Sequence, residues 1–334
     1  MREASLAAPG TAAAHMPSLR TASILGIGTA LPRRRVASEE IALRHGIDAS
    51  WIHQRTGVSE RRFAEAGESL TGLASAAARE ALAAAGVEAG EVGLVLVASL
   101  TQDDLLPNAA PLVAGEIGAD GAFACDLGAA CTGFLSGLSL AASQVESGRT
   151  DLALVVGADL LSRVTDHDDR KTSGLFGDGA GAAVVGTGGG GEIERLLLRS
   201  DARRADCIVA DHRERLIRMR GQDTFRAAVD ELSAITREVL DEQDLDPQDV
   251  DLYVFHQANA RITRAVGERL GLPRERVVDC IERLGNTSAA TLPLALAEAH
   301  RSGMLASGDR VLLATFGAGL VWGGGLIRWD GEIS

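Results

Sequence analysis

Two stretches of this 334-residue chain follow one plan, and that repetition constrains the fold more than any other feature. In the first, an apolar run of strand length at 92–100 (VGLVLVASL) leads to a glycine-rich turn, DLGAACTGF (126–134). Beyond it, Leu135, Leu138, Ala142 and Val145 recur at three- and four-residue spacings, which predicts a helix. In the second, a helix over roughly 224–242 precedes DLYVFHQ (251–257), and RLGNTSAAT (283–291) follows at a similar distance. DLALVVGADLL (151–161) then has its counterpart in RVLLATFGAG (310–319), and AGAAVVG (180–186) in VWGGGLIRW (321–329). Unbroken apolar runs of this length suit strands buried on both faces, so each half is an α/β unit with helices covering its sheet. Each half presents a helix N-terminus to a shared centre.

Other elements are legible along the way. Residues 21–32 read as a first strand ending at Pro32, and Ser38–His45 as a helix with Ser38 as its N-cap. Residues 48–62 read as a solvated loop anchored by Trp51, and Leu70–Ala85 as an Ala-rich helix closed by Gly86. GDGAG (177–181) lacks the spacing of a dinucleotide fingerprint and the lysine of a P-loop, so it reads as a tight turn into a strand. Residues 1–20 have no hydrophobic signal core and read as a disordered extension. The halves are then placed at 21–190 and 191–334. A net charge of −13 argues against general attraction to nucleic acid or anionic membrane, and no apolar run is long enough to span a bilayer. The four cysteines, 125, 131, 207 and 280, show neither CxxC pairing nor metal-ligand spacing, which suits a reducing, cytoplasmic compartment.

Cys131 stands among small residues at the start of its helix, where unsatisfied amides favour a thiolate. A buried, inert thiol is the structural alternative. The repeat brings Cys131 towards Asn286, and His256 at the end of its strand joins them. The set is chemically coherent. A cysteine accepts an acyl group as a thioester, while a neutral histidine and an asparagine are two donors for an oxyanion or enolate. Backbone amides of Cys131 and of the FGAG turn (316–319) supply a second oxyanion hole. Taken singly, His256 fits a core histidine and Asn286 a helix cap.

WIHQRTGVSERR, AACTGF, FGDGAGAAVV, HQANARI, RLGNTSAAT and FGAGLVWGG stand in order from about residue 23 to 329. With them the chain resembles the β-ketoacyl-acyl carrier protein synthase III family of the thiolase superfamily. The resemblance implies a thiolase-like five-layer αβαβα fold, a homodimer and an acyltransferase without cofactor. Acyl-CoA loads Cys131, and a malonyl thioester on acyl carrier protein then condenses with the loaded acyl group. His256 and Asn286 stabilise the enolate, and the Ala318 amide shares the oxyanion hole with that of Cys131. By the same resemblance, Trp51 and Arg170 stack on the CoA adenine with Arg55 nearby. Gly221, Phe225 and Asn259 line the pantetheine channel, and Arg261 meets CoA phosphates or the carrier protein at the mouth.

Three departures bear on specificity. The segment between Gly191 and Met219 is short and rich in charge, which predicts a more open entrance. Leu106 stands where an aromatic residue often closes the acyl pocket across the dimer, so the pocket is expected to differ in shape. Glu268 interrupts the basic set Arg261, Arg264 and Arg269. One rival keeps Cys131 but moves the acyl group to an oxygen or nitrogen nucleophile, with His256 as general base. Leu100, near where a hydroxymethylglutaryl-CoA synthase carries its acid, argues against that reading.

Overall fold

The computed structural model describes residues 20–330. The expected disorder of 1–20 falls outside the described residues except at Arg20, whose guanidinium pairs with Asp151. In chain order the strands are β1 (Ala22–Ala30), β2 (Arg34–Ala37), β3 (Glu60–Phe63), β4 (Leu94–Ala98), β5 (Phe123–Leu127), β6 (Ala153–Leu160) and β7 (Asp178–Thr187). They continue with β8 (Gly190–Ser200), β9 (Ile208–Val209), β10 (Arg218–Met219), β11 (Leu252–Phe255), β12 (Arg310–Gly317) and β13 (Val321–Asp330). The helices are α1 (Ser38–His45), α2 (Ala49–Thr56), α3 (Leu70–Ala85), α4 (Ala109–Ile117) and α5 (Gly133–Glu146). After these come α6 (Gly221–Glu242), α7 (Ala260–Leu270), α8 (Ile281–Leu284) and α9 (Thr291–Arg301).

Nine strands join in the order β11-β12-β13-β8-β1-β7-β6-β4-β5. The two halves meet where β1 touches β8 through two residue pairs, Ser23 with Glu192 and Ile24 with Gly191. In each half a parallel pair, β4–β6 or β11–β12, continues into an antiparallel neighbour, β7 or β13.

Alternation along these strands creates the layers. Leu94, Leu96 and Val155 face inward with Leu252, Val254, Val311 and Leu313, and between them lie Phe134 and Leu138 of α5 and Leu292 and Leu296 of α9. The intervening residues Val95, Val97, Leu154 and Val156 face outward onto Ala77 and Ala81 of α3 and Val113 of α4. In the second half Tyr253, Phe255, Leu312 and Ala314 pack against α6 and α7 through Leu232, Ile235, Ile262 and Val266. The result is the five-layer αβαβα thiolase-like fold. Each fully buried aliphatic side chain contributes about 1.5–3 kcal/mol, so the strand faces dominate the stability. Among the described residues no helix is long and apolar enough to cross a membrane.

Local expectations are corrected in four places. Ala37, not Ser38, caps α1; the Ser38 hydroxyl donates to Val58 O at 2.7 Å and accepts from Arg61 Nη2 at 3.1 Å. Residues 48–62 form α2 and β3 rather than a loop, because Asp48 caps the helix through Ser50 N and Arg61 is fully buried. Arg61 also donates to Val36 O and Gly174 O, and burial lowers its pKa to about 10. GDGAG is mostly strand, since β7 begins at Asp178, and α6 starts at Gly221.

Candidate active site

The two glycine-rich turns share one backbone. Ala130 (φ 46°) and Ser288 (φ 51°) both adopt the left-handed conformation that non-glycine residues avoid. Each opens a 3₁₀ turn, Ala130–Thr132 or Ser288–Ala290, that runs directly into α5 or α9. Holding such residues there costs on the order of 1–3 kcal/mol each, and the surrounding packing must impose it. Two glycines allow that packing. A Cβ on Gly157 of β6 would come within 2.3 Å of Ala289 O, and one on Gly317 of β12 within 3.0 Å of Cys131 N. Each half's strand therefore supports the other half's turn. The repeat matches turns, not residues: Cys131 follows its left-handed residue, whereas Asn286 precedes its own.

The strand end of β12 brings the reactive groups together. Thr315 Oγ1 donates to Cys131 O at 2.9 Å, and His256 N donates to Ala314 O at 2.8 Å. Gln257 pins the loop carrying His256, donating to Phe255 O and Val278 O and accepting from Cys280 N. Asn286 Oδ1 accepts from Ser288 N at 2.9 Å, which leaves its Nδ2 as the free donor. Cys131, His256, Asn286 and Ala318 all line one cavity of about 1410 Å³.

Trp51, Arg55, Arg170, Gly221, Phe225, Asn259 and Arg261 line the same cavity. The Arg55 guanidinium carbon lies 4.3 Å from the Trp51 ring centre and that of Arg170 5.8 Å, while Arg261 sits 5.6 Å from the Phe225 ring. Asn259 also caps α7 through Arg261 N and donates to Arg55 O at 3.0 Å, tying α7 to α2. Leu106 is not part of the cavity wall in this chain; it is 81% exposed, and its neighbour Leu105 lines the cavity instead. The charged segment does not leave the entrance bare. It contributes Ile208 and Val209 of β9, Ile217, and Met219 of β10 to the cavity wall, and Arg218 anchors it to Asp166.

Electrostatics reverse one expectation. Burial pushes the Cys131 thiol up to about 11, so the resting sulfur is a thiol. His256 is 1% exposed, and its buried Nδ1 has no hydrogen-bond partner among the described residues. Burial lowers its pKa from 6.5 to about 3, which leaves the imidazole neutral.

This shift has a stability consequence. Between about pH 3 and 6.5 the unfolded chain binds a proton at His256 that the folded chain does not, so stability is lost as pH falls through that window. Urea midpoints measured across it are expected to fall less steeply for His256→Gln than for wild type. Equal slopes would mean that the histidine is not buried neutral.

Sequence reasoning missed Gln257, Ser288 and Asp159. Gln257 adjoins His256 and Ser288 adjoins the Asn286 turn, so both lay within quoted motifs. Asp159 sits in the strand GAD, where an acidic residue inside an apolar run was the available signal.

These layers and this convergence of two helix-start turns define a protein of the thiolase superfamily. Residues 125–202 match the family described as 3-oxoacyl-[acyl-carrier-protein] synthase III, and residues 240–329 match its C-terminal region. The β-ketoacyl-[acyl-carrier-protein] synthase III of Synechococcus sp. (strain RCC307) is 42% identical over 330 residues, covering 93% of this chain and 98% of the relative. The crystal structure of the Pseudomonas aeruginosa PAO1 synthase III superposes with a TM-score of 0.90 at 41% identity, covering 94% of this chain and all of that one. The priming β-ketosynthase of the R1128 polyketide pathway gives 0.91 at 36% identity, covering 96% and 99%. The chain belongs to the β-ketoacyl-acyl carrier protein synthase III family.

Proposed function

We propose that this protein takes an acyl group from acyl-CoA onto Cys131 and condenses it with malonyl-acyl carrier protein, starting a fatty-acid or polyketide chain. The supporting observation is that Cys131, His256 and Asn286, drawn from both halves, share one cavity with Trp51, Arg55 and Arg170. The Cys131 sulfur attacks the thioester carbonyl, the bond from that carbon to the CoA sulfur breaks, and CoA departs as the thiol with the proton that Cys131 gives up. The amides of Cys131 and Ala318 receive the developing oxyanion. Malonyl-carrier protein then enters along Gly221, Phe225 and Asn259, with Arg261 meeting phosphate or the carrier. Its carboxylate leaves as carbon dioxide, and the enolate oxygen accepts hydrogen bonds from neutral His256 and from Asn286 Nδ2. The enolate carbon attacks the acyl thioester, and the Cys131 sulfur is released and reprotonated.

Burial holds the His256 imidazole neutral, which suits a donor to the enolate oxygen of the condensing reaction.

A homodimer completes the reading. β5 is the edge of its sheet, with Phe123 67% exposed. Asp126 of β5 accepts from Ala109 N and Ala110 N, which seats the exposed Leu105–Leu106 loop above the same edge. An apolar, unpaired edge of this kind is a pairing surface. Wild type is expected to sediment at twice the 34.7-kDa chain mass and Phe123→Asp as a single chain; a monomeric wild type would sink the dimer.

The function is tested by intact-protein mass spectrometry after incubation with a panel of acyl-CoAs, then with malonyl-acyl carrier protein. The condensing reading expects an adduct that malonyl-carrier protein discharges with release of carbon dioxide. An adduct that malonyl partners leave untouched supports acyl transfer to another nucleophile.

A further inference from the structure

Beside the Asn286 turn lies a buried acidic side chain that the reaction outlined above does not use. Asp159, near the end of β6, is 0% exposed. Its Oδ1 accepts from Ser99 Oγ at 3.1 Å, Leu100 N at 2.9 Å and Thr101 Oγ1 at 3.0 Å. Its Oδ2 accepts from Ala289 N at 3.3 Å. These partners are all neutral, and two are backbone N–H groups that can only donate. Burying an acidic side chain with no cation beside it is costly in either protonation state, so its presence calls for an account.

The geometry supplies one. Ala289 lies in the turn that carries Asn286, and Ser288 N in that turn fixes the Asn286 amide at 2.9 Å. Gly157, two residues before Asp159, permits the backbone of this turn to approach β6. On the opposite side, the Thr101 hydroxyl that donates to Asp159 accepts from Leu160 N at 2.8 Å, locking the end of β4 to β6. One side chain thus joins the ends of two strands to the Asn286 turn. We propose that Asp159 is a positioning residue: its carboxyl group locks the Asn286 turn in place.

Burial pushes the Asp159 carboxyl up, and the N–H groups of Leu100 and Ala289 with the Thr101 hydroxyl pull it back. The assignment rests on the condensing reading, because it concerns the step in which Asn286 donates.

Asp159→Asn tests the assignment. It conserves volume and sets an amide donor against the N–H of either Leu100 or Ala289. Loading by acyl-CoA is expected to survive, while malonyl decarboxylation drops by about 100-fold, the usual consequence of misplacing a catalytic group by about 1 Å. Thr101→Val, which removes one donor to Asp159, is expected to slow decarboxylation selectively but by less, and it serves if the asparagine variant does not fold. Equal losses in loading and decarboxylation, or no loss in either, overturn the assignment. If wild type accepts no acyl group at all, the condensing reading fails instead.

Discussion

Cys131→Ala is expected to show no acyl adduct from any acyl-CoA and to lose turnover by at least about 10⁴-fold, as when a nucleophile is removed from a cooperating set. The protein itself survives the change, because the substitution removes one atom from a turn whose shape is set elsewhere. Thr315 holds the backbone oxygen of residue 131, and Gly317 accommodates its amide, whatever the side chain. Thermal midpoints are therefore expected to stay close to wild type. Serine is not expected to rescue the activity. A hydroxyl is harder to deprotonate than the thiol, and the neighbouring imidazole, with a pKa near 3, offers little help as a base. The remaining thiols provide an internal control: Cys207 and Cys280 are buried, and only Cys125 is partly accessible. An adduct that persists in Cys131→Ala at stoichiometric level would show that the nucleophile has been misassigned.

That prediction rests on features the sequence displayed openly. Unbroken apolar runs such as LVLVA and ALVVGADL announced strands covered on both faces, and the glycine-rich turns after them announced where helices begin. Hence the two α/β halves, their repeat and the meeting of Cys131, His256 and Asn286 were legible, while the five-layer stacking followed only from the family resemblance. Local periodicity carried them. What escaped was set by contacts between distant segments. The loop expected at 48–62 is helix and strand because a fully buried Arg61 satisfies Val36 O and Gly174 O, partners far away in the chain. The thiol is raised rather than lowered because burial is a property of the assembled cavity, and no local motif encodes it. Asp159 stood out only as an acidic residue in an apolar run; its role was hidden because its donors come from β4's end and from the Asn286 turn. The charged stretch before α6 looked like a lost cover. Its short β9–β10 ribbon is held in place by ion pairs that composition alone cannot assign.

Asn286→Ala and His256→Ala are expected to separate the two half-reactions. Loading needs the thiol and the Cys131 and Ala318 amides, and neither variant touches those. Decarboxylation needs donors at the enolate oxygen, and each variant removes one buried donor. Loss of one preorganised donor costs about 10²–10³-fold in rate. Each single variant should therefore accept an acyl group in stoichiometric amount yet release carbon dioxide from malonyl-carrier protein at least about 100-fold more slowly. The double variant should lose less than the product of the two, because both donors act on one oxygen. Aspartate at 286 makes the sharper comparison. It keeps the acceptor that Ser288 N engages, but replaces the Nδ2 donor with a second acceptor. A negative charge aimed at a developing enolate opposes it, so Asn286→Asp should fall below Asn286→Ala. Rapid-quench measurement of acyl transfer alongside ¹⁴C-carbon dioxide release distinguishes the steps. If Asn286→Ala and His256→Ala slow loading and decarboxylation to the same extent, these side chains shape the cavity instead of stabilising the enolate. The donor geometry built from the Ser288 contact would then have no catalytic meaning.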